Sequence, residues 1–151
     1  MANTYINILV HTVFSTKNRE RWLSPSLRER LYPYLCGIAR ENKFKVLSAG
    51  GVDNHSHILL SLNSTISIAK AIQFLKGGSS KWIHETFPEQ KLFSWQEGYG
   101  AFSIGISNVD ETVKYIENQE NHHKKIGFQD EYLNFLRKNN VEFDVKYLWG
   151  E

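Results

Sequence analysis

The sequence predicts an α+β fold: an antiparallel sheet with helices on one face, then a further helix and a tail. Three observations predict it. Apolar residues alternate between two-residue and 3.6-residue spacing, so residues 4–107 read as strand, helix, strand, strand, helix, strand. Gly50-Gly51 lies just ahead of the third strand and marks a tight antiparallel connection. No internal repeat or low-complexity stretch interrupts the 151 residues, so one domain over 1–151 is the economical assignment. This order is that of the ferredoxin-like or RRM-like arrangement.

The first strand covers residues 4–14, with Ile6, Ile8 and Val10 on one face and Leu9, His11 and Val13 on the other. His11 reads as a satisfied strand histidine, with a place near a metal as the minor alternative. A basic turn carrying Lys17, Arg19 and Arg21 follows. Ser24-Pro25 supplies an N-cap and a proline at the first helical position, and Leu27, Leu31, Leu35 and Ile38 continue at helical spacing, which predicts a helix over 25–42. Residues 43–51 return as a strand. The third strand, Val52 to Leu62, is rich in apolar and β-branched residues.

A second helix begins near Thr65, with Ile68, Ile72, Leu75, Ser79 and Trp82 as its buried stripe and Lys70, Gln73, Gly77, Ser80 and Lys81 on its other side. Residues 87–100 lack a period and hold Pro88, Gly98 and Gly100, which reads as a long loop. Residues 101–107 alternate as a fourth strand, with Phe102, Ile104 and Ile106 on one face. The third helix is predicted over 109–125. Asn108 and Glu111 form a capping-box-like start, Asp110 and Glu111 occupy the first turn, and His122, His123, Lys124 and Lys125 the last, where they complement the helix dipole. Gly127 reads as its stop. Residues 128–138 predict a short helix with Tyr132, Phe135 and Leu136 inward, and 141–149 an extended aromatic tail. The chain thus divides into 1–107, 108–126 and 127–151.

Composition sets the class. Hydrophobic residues make up 41% and aromatics 13%, which is globular. No apolar run reaches the roughly 18 residues that span a bilayer, no secretory signal is evident, and the lone Cys36 fits a reducing cytoplasm. A net charge of +2 is too mild to forecast nucleic-acid binding by itself.

The chemistry centres on His55-Ser56-His57. Alternate strand residues share a face, so the two imidazoles point the same way from Cα atoms about 6.6 Å apart. Two imidazoles on a rigid strand can share one divalent ion, which needs further ligands. Tyr115 and Gln119, four apart, share a helix face. A tyrosine can be a covalent nucleophile and an amide oxygen a hard metal ligand, although Tyr115 taken alone reads as a packed aromatic.

Six segments in one order then resemble a known family. They are His11 to Arg19, Asn54-His55-Ser56-His57, Leu75 to Trp82, Trp95 to Phe102, Tyr115 to His123 and Tyr147-Leu148-Trp149. Together they are similar to the single-tyrosine HUH transposases of the smallest bacterial and archaeal insertion sequences, the IS200 type. The resemblance implies a divalent ion, magnesium or manganese, held by His55, His57 and Gln119, with Tyr115 attacking the scissile phosphate to form a 5′-phosphotyrosine and free a 3′-OH. It implies single-stranded DNA with hairpins as substrate, and a homodimer in which the tyrosine helix can act in trans. Contacts to DNA then fall to Lys17, Arg19, Lys70, Lys76 and Lys81. Two positions depart from the pattern: Ser56 stands where a hydrophobic residue is usual, and Asn54 where aspartate is frequent. The alternatives are a non-catalytic RRM-like module that stacks single strands on exposed sheet aromatics, and a domesticated HUH nickase.

Overall fold

The computed structural model describes residues 3–149. Four strands, β1 (Ile8–Ser15), β2 (Lys45–Gly51), β3 (His55–Leu62) and β4 (Gly100–Ser103), form one antiparallel sheet in the order β2-β3-β1-β4. This is the predicted ferredoxin-like topology. The central strands pair over their full length, from Ile8 opposite Leu62 to Ser15 opposite His55. Two helices, α1 (Pro25–Glu41) and α2 (Ile68–Thr86), cover one face. Val10 and Phe14 of β1 and Ile58, Leu60 and Leu62 of β3 meet Leu27, Leu31 and Leu35 of α1 and Ala71, Ile72, Leu75 and Ile83 of α2 there. The Ser24 hydroxyl accepts from the Leu27 amide as the predicted N-cap, while the second helix, expected from near Thr65, starts at Ile68 with the Ser67 hydroxyl accepting from the Lys70 amide.

Several boundaries differ. The first strand starts at Ile8, and Ile6 and Ile8 stay exposed, because the sheet partner of β1 ends at Leu62. The fourth strand stops at Ser103; the chain turns at Ile106–Asn108, and Ile106 is 71% exposed where an inward side chain was expected. Within the long loop Phe93 and Trp95 are buried, and Trp95 bridges to Thr16, so this segment is packed.

The predicted third helix is broken into α3 (Val109–Glu117) and α4 (Gln119–His122). At the break the Gln119 side-chain amide donates to the Tyr115 carbonyl at 3.2 Å, taking the acceptor that a continuous helix would offer to the backbone. No side-chain cap forms at Asn108. Gly127 is the N-cap of α5 (Phe128–Lys138) and does not terminate the tyrosine helix. The tail contains a short helix, α6 (Val145–Leu148), in place of an extended run.

The other sheet face is covered too. Phe128, Tyr132 and Leu136 of α5 pack on Val13 and Phe102, with Phe135, Phe143, Leu148 and Trp149 at the margin. Helices therefore flank both faces, and the odd-numbered side of β1 and β3 lies under α5.

Candidate metal centre and its tyrosine

Strand alternation puts His55 and His57 on the face beneath α5, both fully buried, with ring centroids 5.2 Å apart. Ser56 faces the opposite side and exchanges a 3.0 Å hydrogen bond with the Tyr32 hydroxyl, so it serves the helical layer and leaves the histidines untouched. Asn54 Oδ1 stands 2.8 Å from His55 Nδ1, the place where an aspartate would otherwise hold the ring. Burial pulls the pKa of His55 down to about 4, so the ring is neutral at neutral pH.

Gln119 reaches the same place. It is buried, and its Oε1 lies 3.3 Å from His55 Nε2. Two features hold it. Arg28, buried on α1, donates to the Leu23 carbonyl and to Glu120 Oε1, tying α4 to α1. Meanwhile α3 packs against β2, where Gly50 lets the Ile116 carbonyl approach so closely that a Cβ would lie 2.4 Å from it.

The Tyr115 ring sits 5.6 Å from that of His57, in the same chain. Its hydroxyl donates to Glu131 Oε2 and lies 3.1 Å from His122 Nε2. Burial, then the neighbouring Glu131 carboxylate, push the phenol above its ordinary pKa. A cleft of about 220 Å³, lined by Tyr115, His122, Ile126, Glu131, Asn134, Phe135 and Lys138, opens onto it. A second cleft of about 300 Å³ also reaches Tyr115 and Lys138. The phenol is thus half-buried and polar-partnered, unlike the packed aromatic that its helix position alone suggests.

Four more residues join the cluster; in the sequence, His11, His122 and His123 carry a metal role only as the minor alternative, and Glu131 is not singled out. His11, expected as a bystander, lies 2.8 Å through Nε2 from His57 Nδ1, and burial lowers its pKa to about 3. His122 and His123, expected as surface residues, both stand within 3.2 Å of Glu131. Glu131 itself is 2% exposed, and its Oε1 lies 2.9 Å from His57 Nε2 and 3.2 Å from the Nε2 atoms of His55 and His123. Burial works against the Glu131 carboxylate, yet the hydrogen-bonding distances to His123, His55 and His57 outweigh it and hold it ionised. One signal could have found it. Phe128, Glu131, Tyr132 and Phe135 form an i, i+3, i+4, i+7 stripe, and a carboxylate in such a stripe is buried and must be partnered.

His55, His57, His123 and Glu131 each offer a ligand atom within 4.8 Å of the others, a spacing that fits one cation. The donor set thus suits the divalent ion that the resemblance implies. The five basic residues expected to touch DNA are not gathered there. Lys17 and Arg19 lie on the turn after β1, Arg19 over the Trp149 ring at 5.2 Å. Lys70 and Lys81 are exposed on α2. Lys76 instead braces the loop, donating to the carbonyls of Gln96 and Gly98 at 2.7 and 2.6 Å.

Known proteins resemble this chain in sequence and in fold. Residues 4–119 match the family described as "Transposase IS200 like". The ISDra2 transposase TnpA of Deinococcus radiodurans is 26% identical over 114 residues, covering 72% of this chain and 81% of that protein. The transposase for insertion sequence element IS200 of Salmonella typhimurium is 27% identical over 124 residues, covering 79% and 81%. In fold, the chain is similar to a candidate transposase of Deinococcus radiodurans R1, with TM-score 0.65, 23% identity, and 79% and 96% of the two chains covered. A REP-associated tyrosine transposase bound to a REP hairpin follows at TM-score 0.55 and 17% identity, covering 77% and 68%. With its sheet, its paired imidazoles and a match over most of its length, this chain belongs to the IS200-like transposase family.

Proposed function

We propose that this protein cleaves and rejoins single-stranded DNA at hairpin-marked ends of a mobile element, with Tyr115 as nucleophile. One observation carries the reading: the Tyr115 hydroxyl stands in the same buried cluster as two β3 imidazoles and the Gln119 amide. The Tyr115 oxygen attacks phosphorus, the bond from phosphorus to the 3′ oxygen breaks, and the leaving oxygen takes up a proton as a 3′-OH. The 5′-phosphotyrosine conserves the phosphodiester, so the reverse attack by a 3′-OH rejoins a strand without a nucleotide cofactor.

His55, His57 and Gln119 would hold the divalent ion, magnesium or manganese, which when bound would supply positive charge to polarise the scissile phosphate. Glu131 Oε2 and His122 Nε2 keep the phenol oriented, and the Glu131 carboxylate is the acceptor within reach of its proton. Lys138, bordering both clefts beside Tyr115, offers a cation to an entering phosphate. Lys17, Arg19, Lys70 and Lys81 are left to backbone contacts farther along the strand.

Incubation with manganese and a hairpin oligonucleotide tests this. A covalent adduct that disappears in Tyr115→Phe is expected, while an adduct that persists there overturns the assignment. His57→Ala should abolish cleavage and leave hairpin binding largely intact. We read the working form as a homodimer. Because Tyr115 faces its own chain's imidazoles, mixing Tyr115→Phe with His57→Ala subunits should restore no cleavage. Recovery would show that the tyrosine helix is exchanged between subunits.

The stacking-module alternative requires exposed aromatics on the open sheet face. Here α5 covers Phe102, and Val13 and His57 lie buried beneath it.

A further inference from the structure

Two donors beyond residues 4–119, His123 and Glu131, face the same point as His55, His57 and Gln119. His123 Nδ1 lies 2.8 Å from the Ile126 carbonyl, an oxygen that can only accept, so Nδ1 carries a hydrogen. In the neutral ring Nε2 then presents a lone pair, and its neighbours are Gln119 Oε1 at 3.0 Å and Glu131 Oε1 at 3.2 Å. The Gln119 amide is turned the same way, because its NH₂ group donates to the Tyr115 carbonyl and leaves Oε1 inward.

With the His123 ring neutral, its Nε2, Gln119 Oε1 and Glu131 Oε1 are three lone-pair atoms with no hydrogen among them. Glu131 Oε1 stands near three imidazole nitrogens at once, more partners than its lone pairs can serve as separate hydrogen bonds. Acceptors 3.0 and 3.2 Å apart repel one another unless a cation lies between them. The spacing is itself informative. Ligands about 2.1 Å from one metal ion are about 3.0 Å apart at right angles and about 3.4 Å apart at tetrahedral angles.

We infer that His123 and Glu131 are further ligands of the cation, closing a five-donor set with His55, His57 and Gln119. Glu131 then binds the ion through Oε1 and Tyr115 through Oε2, so one carboxylate joins the metal to the nucleophile. Three imidazoles with two oxygens form a donor set that favours a transition-metal ion, cobalt most and manganese next, over magnesium. The inference rests on the reading of His55, His57 and Gln119 as a cation site, and it assigns the C-terminal segment a place in that site.

Manganese binding by the full-length, metal-free protein, measured by calorimetry without DNA, provides the test. His57→Ala should lose binding. Glu131→Gln and His123→Ala should each weaken it by at least about tenfold, the lower bound of losses from groups that only support a ligand. Magnesium should bind the wild type more weakly than manganese. If Glu131→Gln and His123→Ala bind manganese within about twofold of wild type while His57→Ala does not, the five-donor set is wrong and the simpler site survives. If His57→Ala also binds normally, the cation site itself falls. Thermal unfolding in EDTA checks that each variant folds. X-ray absorption of the cobalt-loaded wild type gives an answer that needs no variant: three imidazoles are expected, and two would overturn the inference.

Discussion

His57 can turn Nε2 toward Glu131 because its other nitrogen is engaged: His11 holds Nδ1 at 2.8 Å. A group that orients a ligand without touching the ion typically contributes 10–100-fold to affinity. His11→Ala should therefore weaken manganese binding by about that factor, less than His57→Ala, and a manganese titration of both variants checks the ranking. Tyr32 is the comparable residue on the opposite side of the sheet. Burial pushes its pKa up to about 12 from an ordinary 10.0, against the opposing pull of the Ser56 hydrogen bond. Below pH 10 the phenol is neutral both folded and unfolded. As pH rises from about 10 to about 12 only the unfolded chain releases the proton, so stability falls, by on the order of 2 kcal/mol. Urea midpoints at pH 9 and pH 11.5 should show a smaller fall in Tyr32→Phe than in wild type.

At the scale of elements, α3 owes its place to Gly50. A methyl group there would meet the Ile116 carbonyl at 2.4 Å, a backbone atom that cannot rotate aside. Gly50→Ala should push α3 off the edge of β2 and displace Tyr115. Adduct formation should fall at least tenfold while hairpin binding changes little, since no basic side chain is altered. The break between α3 and α4 is local in origin, because Gln119 uses its side chain to occupy the Tyr115 carbonyl. That exchange turns a helix end into a holder for an amide oxygen. The α5 helix carries an acid on its apolar stripe, and removing the apolar neighbours should disturb the acid as well. Leu136→Ala, at a site 5% exposed, should cost about 2–4 kcal/mol in denaturant titration.

For the whole molecule, both sheet faces are buried but by different means. The α1 and α2 face is a continuous apolar core, whereas the α5 face mixes a small apolar cluster with imidazoles, an amide and a carboxylate. On the proposed cation site, the second layer is the one that a bound ion would stabilise, through mass action on the folded state. Manganese should raise the melting temperature of the wild type, and EDTA should reverse the rise. In Glu131→Gln the increment should shrink, as differential scanning calorimetry would show. Among the described residues no helix is long and apolar enough to cross a membrane.

Much was written in local pattern. Alternation set the sheet strands and put His55 with His57, because a two-residue repeat needs no distant information. The cap at Ser24 and the inward stripes of α1, α2 and α5 were equally local, each a matter of spacing within a few turns. The partners of those histidines were not local. His11 lies 46 residues from His57 in the chain and Glu131 74 residues from it, and only the pairing of β1 with β3 and the docking of α5 bring them within hydrogen-bond distance. The sequence by itself determined the topology, the paired imidazoles and the helix that bears the tyrosine. The tertiary structure alone decided which buried lone pairs share one point, since that depends on how layers stack and not on the order of residues.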